Sequence, residues 1–326
     1  MSIEVAVVGS YVQDLAFKVG LFPAPGETRI GKFASGPGGK GSNQAVACHR
    51  QGVETVFIGA VGNDIFGDGY KKWAVEEELP IELLTVNGAT SGAASIVVNE
   101  RAENQIVVAL GANDELTPVH TTGSLSRYQS LKVLLLQAES NLDAAAAALS
   151  YAKEHQIYSI LNPAPINPDI TSGLLAKTDC ITPNETEFCF LVKHLCGRTC
   201  SPDLAGLSDA ALREVCDYLP AAAILITLGA EGSVYYQRQS AHPALKNIKM
   251  GEVVRMPALK VNPVDTTGAG DAFNGGFAAG IVKFSGDIKR AISFATVVAG
   301  LSTEREGTAP AMPRSAEVEK RFNYQE

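Results

Sequence analysis

The stretch Val133-Leu134-Leu135-Leu136-Gln137-Ala138-Glu139 is apolar for four residues without alternation and then turns polar. Asp143-Ala144-Ala145-Ala146-Ala147-Ala148-Leu149 follows, a strong helix former within a candidate helix over residues 142–155. A second strand-like run, Tyr158-Ser159-Ile160-Leu161, comes next. A strand apolar throughout is covered on both faces, and a helix between two such strands makes them parallel. The unit recurs along the chain. Further candidate strands lie at 5–8, 55–58, 180–182 and 224–227, and further candidate helices near 42–51, 67–78, 185–195, 209–219, 270–283 and 288–303. The pattern predicts an α/β fold, a doubly wound, mostly parallel sheet with helices on both faces.

Two stretches break the pattern. Residues 15–19 and 29–33 flank the turn Pro23-Ala24-Pro25-Gly26, and 93–98 and 105–110 flank the polar loop 99–104. They read as antiparallel pairs forming a small β-sheet lid over a cleft, or as edge hairpins without a role. The expected division assigns 13–36 and 91–111 to the lid, and 1–12, 37–90 and 112–326 to the α/β domain that would bind nucleotide and sugar.

Composition narrows the partners. The chain has 326 residues, 46% of them hydrophobic and 19% charged, enough for a core that needs no staple. Its net charge of −8 argues against nucleic acid bound through a general basic field. No run approaches the roughly 18 apolar residues that suggest a membrane span. The first residues carry Glu4 and no basic region, so they read as a first strand rather than a leader. Cys48, Cys180, Cys189, Cys196, Cys200 and Cys216 form no CxxC pair and no zinc spacing. They are expected to be free thiols in a reducing cytoplasm, with Cys196/Cys200 as a conceivable redox pair.

Val264-Asp265-Thr266-Thr267-Gly268-Ala269-Gly270-Asp271-Ala272-Phe273-Asn274 carries the strongest chemical signal. Three small residues opening a helix let free N–H groups converge with the helix dipole on an anion. Asp271, in the first turn, is stabilised there as a carboxylate and could accept a proton from a hydroxyl attacking beside the anion. An ordinary aspartate after a glycine turn has the same spacing. Gly36-Pro37-Gly38-Gly39-Lys40-Gly41-Ser42-Asn43-Gln44 contains a formal GxGxxG, but it does not follow the first strand and is not a Walker loop. It suits a nicotinamide-dependent oxidoreductase poorly. It suits a polyol better, with Lys40 and Asn43 as directional donors, though a plain helix-opening turn also fits. Pro183-Asn184-Glu185-Thr186-Glu187 reads as a capping box, or as a contact to a hydrated metal on phosphates. Thr227-Leu228-Gly229-Ala230-Glu231-Gly232 is a turn that could touch a nucleotide. Glu139 and Asp14 follow strands, where doubly wound sheets bind ligands.

Together with Asn162-Pro163-Ala164-Pro165, these segments resemble the ribokinase/PfkB family of carbohydrate kinases over essentially the whole chain, and its ribokinase and deoxyribokinase branch in particular. The resemblance implies a cytoplasmic, ATP- and Mg²⁺-dependent kinase that phosphorylates a primary hydroxyl of a pentose such as D-ribose and dimerises through its lid. Asp271 then looks like the catalytic base and Gly268, Ala269 and Gly270 like the anion hole. Asp14, Gly38, Gly39, Lys40, Asn43 and Glu139 match sugar contacts. Asn184, Glu187, Thr227, Gly229, Gly232 and Gly270 match the nucleotide side, Glu187 reaching magnesium through water. Asp265, Thr267, Ser302, Arg305 and Gly307 match a monovalent-cation site for K⁺, partly through main chain. Three positions depart from the ribokinase pattern. Val12 replaces an asparagine two residues before Asp14, as in deoxyribokinases, and a site lacking that directed partner discriminates weakly against a deoxy sugar. Ala311 replaces a serine at the cation site. The segment 196–206 has no counterpart. A kinase for another sugar or a nucleoside, and a non-catalytic sugar-binding protein, are the other readings.

Overall fold

Val5 and Val7 join one buried apolar cluster and Ala6 and Val8 another, the two-sided burial that an unbroken apolar strand predicts. The computed structural model describes residues 2–101, 103–201 and 203–322. Met1, Ala102 of the expected lid loop and Pro202 of segment 196–206 lie outside them, as do residues 323–326.

The chain runs β1 (Val5–Val8), β2 (Val12–Lys18), β3 (Lys32–Gly38), α1 (Lys40–His49), β4 (Thr55–Gly62), α2 (Ile65–Glu76), β5 (Ile81–Val86), β6 (Gly92–Val98) and β7 (Asn104–Ala109). It continues through α3 (Pro118–Leu125), β8 (Val133–Gln137), α4 (Leu142–Glu154), β9 (Tyr158–Asn162), α5 (Ser172–Leu175), β10 (Cys180–Ile181), α6 (Glu185–Cys196) and α7 (Asp209–Cys216). It closes with β11 (Ala223–Thr227), β12 (Ser233–Gln237), β13 (Val253–Met256), α8 (Ala269–Lys283), α9 (Ile288–Ser302) and α10 (Ser315–Phe322).

Nine strands form one sheet in the order β13-β12-β11-β10-β9-β8-β1-β4-β5. All neighbours are parallel except β11–β12 and β12–β13. Helices α1, α8 and α9 pack on one face, with Phe277 and Val298 in that core, while α4 and α6 cover the other with Leu149 and Phe188. The strand order reverses between β1 and β8, so the ends of these two strands open a crevice.

The remaining strands form a second sheet, β3-β2-β6-β7. Both expected hairpins form antiparallel pairs, but the second strand of the first is corrected from 29–33 to Lys32–Gly38, and a parallel β2–β6 pair joins the two. Phe33 and Val107 are exposed on this sheet, at 60% and 73%. Among the described residues no helix is long and apolar enough to cross a membrane.

The cysteine expectation is corrected at one pair. Cys189 and Cys200 form a disulfide, with Cα atoms 5.6 Å apart, while Cys48, Cys180, Cys196 and Cys216 are free. The loop after α6 folds back along the helix and brings Cys200 to Cys189. The Cys196 thiol instead donates to the Tyr218 carbonyl at 3.1 Å.

Candidate active site

Helix α8 begins at the sharp turn the glycines predict. Gly268 caps it at φ 77°, in the left-handed region that favours glycine. Asp265 braces the preceding segment, its Oδ1 accepting from Thr267 N–H at 2.9 Å and its Oδ2 from Gly307 N–H at 3.0 Å. These bonds outweigh burial and hold its carboxyl below the usual range. A Cβ on Gly270 would meet nothing within 4 Å, so the turn faces open space at that residue. Asp271 is 7% exposed. Asn43 Nδ2 donates to its Oδ2 and Gln44 Nε2 to its Oδ1, both at 2.9 Å. A buried carboxylate needs such donors.

Both donors ride on α1, and the chain entering that helix is tightly fitted. Gly39 has φ 86°, and a Cβ there would stand 2.6 Å from the Val12 amide nitrogen. A Cβ on Gly38 would stand 2.3 Å from Asp14 Oδ2, so this glycine makes room for the carboxylate. Val12 and Asp14, two apart on β2, share a face. Burial pushes the Asp14 carboxyl up to about 6, the Thr308 hydroxyl opposes this by donating to Oδ2 at 3.2 Å, and the charges of Glu139 and Asp271 add to it. Glu139 Oε2 accepts from Ser10 Oγ at 2.6 Å and from Lys40 N–H at 2.9 Å. Burial opposes charge on Lys40, yet Asp271, Glu139 and Glu187 outweigh it and raise its ammonium above the ordinary lysine range. Asp14, Lys40, Asn43, Glu139 and Asp271 therefore cluster near the ends of β1 and β8, beside the turn before α8.

The neighbouring edge carries the other expected residues. Asn184 and Glu187 form the capping box, with Asn184 N–H on Glu187 Oε2 at 2.9 Å and Glu187 N–H on Asn184 Oδ1 at 2.8 Å. Burial pushes the Glu187 carboxyl up, against the Asn184 amide and Lys40, and Asp271 adds to the rise. Asn184 bridges to Thr227, which brings the turn after β11 beside α6. A Cβ on Gly232 would stand 2.0 Å from the Met256 carbonyl, so contact with β13 already requires this glycine. Gly229, at φ 54°, has open space instead. In the expected cation loop, Arg305 pairs with Glu317 and Ser302 Oγ donates to Ala299 O at 2.8 Å.

Sequence reasoning missed three supporting residues. Gln44 is fully buried and links Asp271 to Asn162 Oδ1 (3.1 Å) and, by accepting from Gln137 Nε2 (2.7 Å), to β8. Ser10 holds Glu139, and Thr308 holds Asp14. Gln44 and Gln137 border residues already singled out, but nothing local marks Thr308. The reading against a dinucleotide loop holds. Gly36 and Gly38 belong to β3 of the second sheet, whereas a dinucleotide turn joins a strand and helix of one βαβ unit.

Comparison with known proteins shows the family. The model of the pfkB family carbohydrate kinases matches residues 2–315. The chain is 34% identical over 319 residues to the ribokinase of Bacillus subtilis, covering 97% of this chain and 98% of that protein. It is 32% identical over 319 residues to the deoxyribokinase of Salmonella typhi, covering 95% of each. The structure of Arabidopsis thaliana ribokinase complexed with ribose and ATP superposes with a TM-score of 0.82 at 25% identity over 99% of each chain.

Proposed function

The chain belongs to the pfkB family of carbohydrate kinases, and from that premise we propose that it transfers the γ-phosphoryl group of ATP to a primary hydroxyl of a pentose. One observation carries the reading: a buried carboxylate, Asp271, opens the helix after the Gly268 turn and lies near Asp14 and Lys40, which Glu139 also adjoins. Asp14, Glu139, Asn43 and the Gly38-Gly39 backbone orient the sugar through its hydroxyls. Asp271 accepts the proton of the attacking hydroxyl. The Gly268 and Gly270 amides meet the charge of the transferring group as the oxygen attacks in line, while the Ala269 N–H stays on the Thr266 carbonyl at 3.2 Å and braces the turn. Lys40, with Asp271, Glu139 and Glu187 near it, is the cationic group of the sugar site. The turn Thr227–Gly232 lies where it could touch the nucleotide. The second sheet acts as a lid that excludes water, and its exposed Phe33 and Val107 suit a homodimer contact.

The donor set fits a hydrated divalent ion. Among the described residues no group of three or more His, Cys, Asp or Glu is placed to hold a metal, and the capping box engages only Oε2 of Glu187. Magnesium would therefore be held largely by phosphates and water, with Glu187 as an outer contact, and would offset phosphate charge. Asp265 accepts one amide N–H on each carboxylate oxygen, which leaves a lone pair on each, so a monovalent cation there would be held by Asp265 together with main-chain carbonyls.

Val12 favours a second reading for the sugar. It is 2% exposed, apolar, and on the same strand face as Asp14, so it offers no bond to a hydroxyl. Sugar-dependent ADP release over ribose, 2-deoxyribose, other pentoses, fructose and nucleosides tests both readings. Activity on a pentose supports the kinase, and kcat/KM at least as high on 2-deoxyribose as on ribose supports the Val12 argument. ADP release that no sugar or nucleoside stimulates would remove the kinase reading.

A further inference from the structure

Three successive residues of the loop after α9 reach three different parts of the crevice. Glu306 pairs with Lys18 of β2 at 2.7 Å, an exposed contact of small energetic weight. The Gly307 amide donates to Asp265, ahead of the anion-binding turn. The Thr308 hydroxyl donates to Asp14 Oδ2 at 3.2 Å. Thr308 also packs on that turn, because a Cβ built on Gly268 would meet Thr308 Cα and Cγ2 at 3.5 Å. The short helical turn Ala309–Ala311 follows directly, with Ala309 and Ala311 buried, so the loop is held at its far end.

Asp14 needs such a donor. It is a half-buried carboxylate whose charged neighbours include Glu139 and Asp271, both of its own sign. Gly38 leaves it space without supplying a bond. We propose that Thr308 is a positioning residue for sugar binding: its hydroxyl fixes one oxygen of Asp14 so that the other faces the substrate hydroxyls, and its methyl group seats the same loop against the anion turn. This rests on the reading of Asp14 as a sugar contact.

The test measures sugar and ATP kinetics on whole enzymes carrying Thr308→Val, Thr308→Ser, Asp14→Asn, and Thr308→Val with Asp14→Asn. Valine keeps the shape and removes the donor, whereas serine keeps the donor and removes the methyl. Thr308→Val is expected to raise the sugar KM about tenfold, the scale of one hydrogen bond to a charged group, with kcat and the ATP KM little changed. Thr308→Ser should restore most of the affinity, and in the Asp14→Asn background the valine substitution should add little. A parental sugar KM in Thr308→Val, beside a raised one in Asp14→Asn, would overturn the role of Thr308 and leave the kinase reading intact. So would a loss confined to kcat, or a serine variant no better than valine. A parental sugar KM in Asp14→Asn would instead remove Asp14 from the sugar site, and this inference with it.

Discussion

Replacing Asp271 by asparagine separates its chemical role from its structural one. The carboxylate accepts two amide donors, from Asn43 to Oδ2 and from Gln44 to Oδ1. An asparagine has one oxygen and one NH₂ in their place, so one donor must be given up. Gln44 cannot turn over, because its Oε1 already accepts from Gln137 and its Nε2 also serves Asn162. Asn43 can, because its Oδ1 is buried without a partner. The expected arrangement keeps the new oxygen on Gln44 and rotates the Asn43 amide to receive the new NH₂. Both contacts survive as neutral bonds, at a stability loss of about 1 kcal/mol. The ability to take a proton does not survive. Loss of a positioned general base lowers turnover by roughly 10²–10⁴-fold, or about 2.7–5.4 kcal/mol in the barrier. Coupled ADP-release kinetics should therefore show a collapsed kcat, a sugar KM within about threefold of the parent, and a melting temperature lower by only a few degrees. A kcat within fivefold of the parent, in a protein that melts normally, would refute the assignment of Asp271 as base.

Asp14 should show a conflict between binding and stability. Its carboxyl is raised from 3.8 to about 6 by burial, with Glu139 and Asp271 adding, so the native state binds the proton more tightly than the unfolded chain between those values. Stability from this group is present below about 4 and is lost as pH rises through about 6. Asp14→Asn should accordingly melt above the parent at pH 7 and approach it near pH 4; an equal or lower melting point at pH 7 would count against the raised carboxyl. Gly38→Ala would place a Cβ 2.3 Å from Asp14 Oδ2, and the side chain rather than the backbone must give way. A sugar KM raised about tenfold or more with an unchanged ATP KM is expected, and a parental sugar KM would show that this close approach does not matter. Thiol titration of the denatured chain should find four free cysteines without reductant and six after reduction; six at the outset would mean that Cys189 and Cys200 are not joined.

Much of the architecture is local information. The unbroken apolar run at 133–136, the alanine helix after it and the strand at 158–161 each form from near neighbours, and all appear close to their expected bounds. Strands β5 and β13 escaped notice because half-buried edge strands mix polar with apolar residues. β12 escaped because its fully buried run is punctuated by Ser233 and Gln237. The disulfide pairing was equally illegible, since a loop that doubles back along α6 leaves no spacing rule in the chain.

Sequence by itself determined the glycine turn and the carboxylate that follows it, because a left-handed Gly268 and a helix N-terminus are consequences of the residues in that turn. It also determined the alternation of strand and helix, which hydrophobic burial reads out element by element. Tertiary structure alone decided that Gln44, Ser10 and Thr308 would hold Asp271, Glu139 and Asp14. Gln44 lies 227 residues from Asp271 and Thr308 lies 294 from Asp14. Over such separations the partner of a buried carboxylate is chosen by which backbone ends the sheet gathers at its crevice, a property of topology that no local pattern of residues encodes.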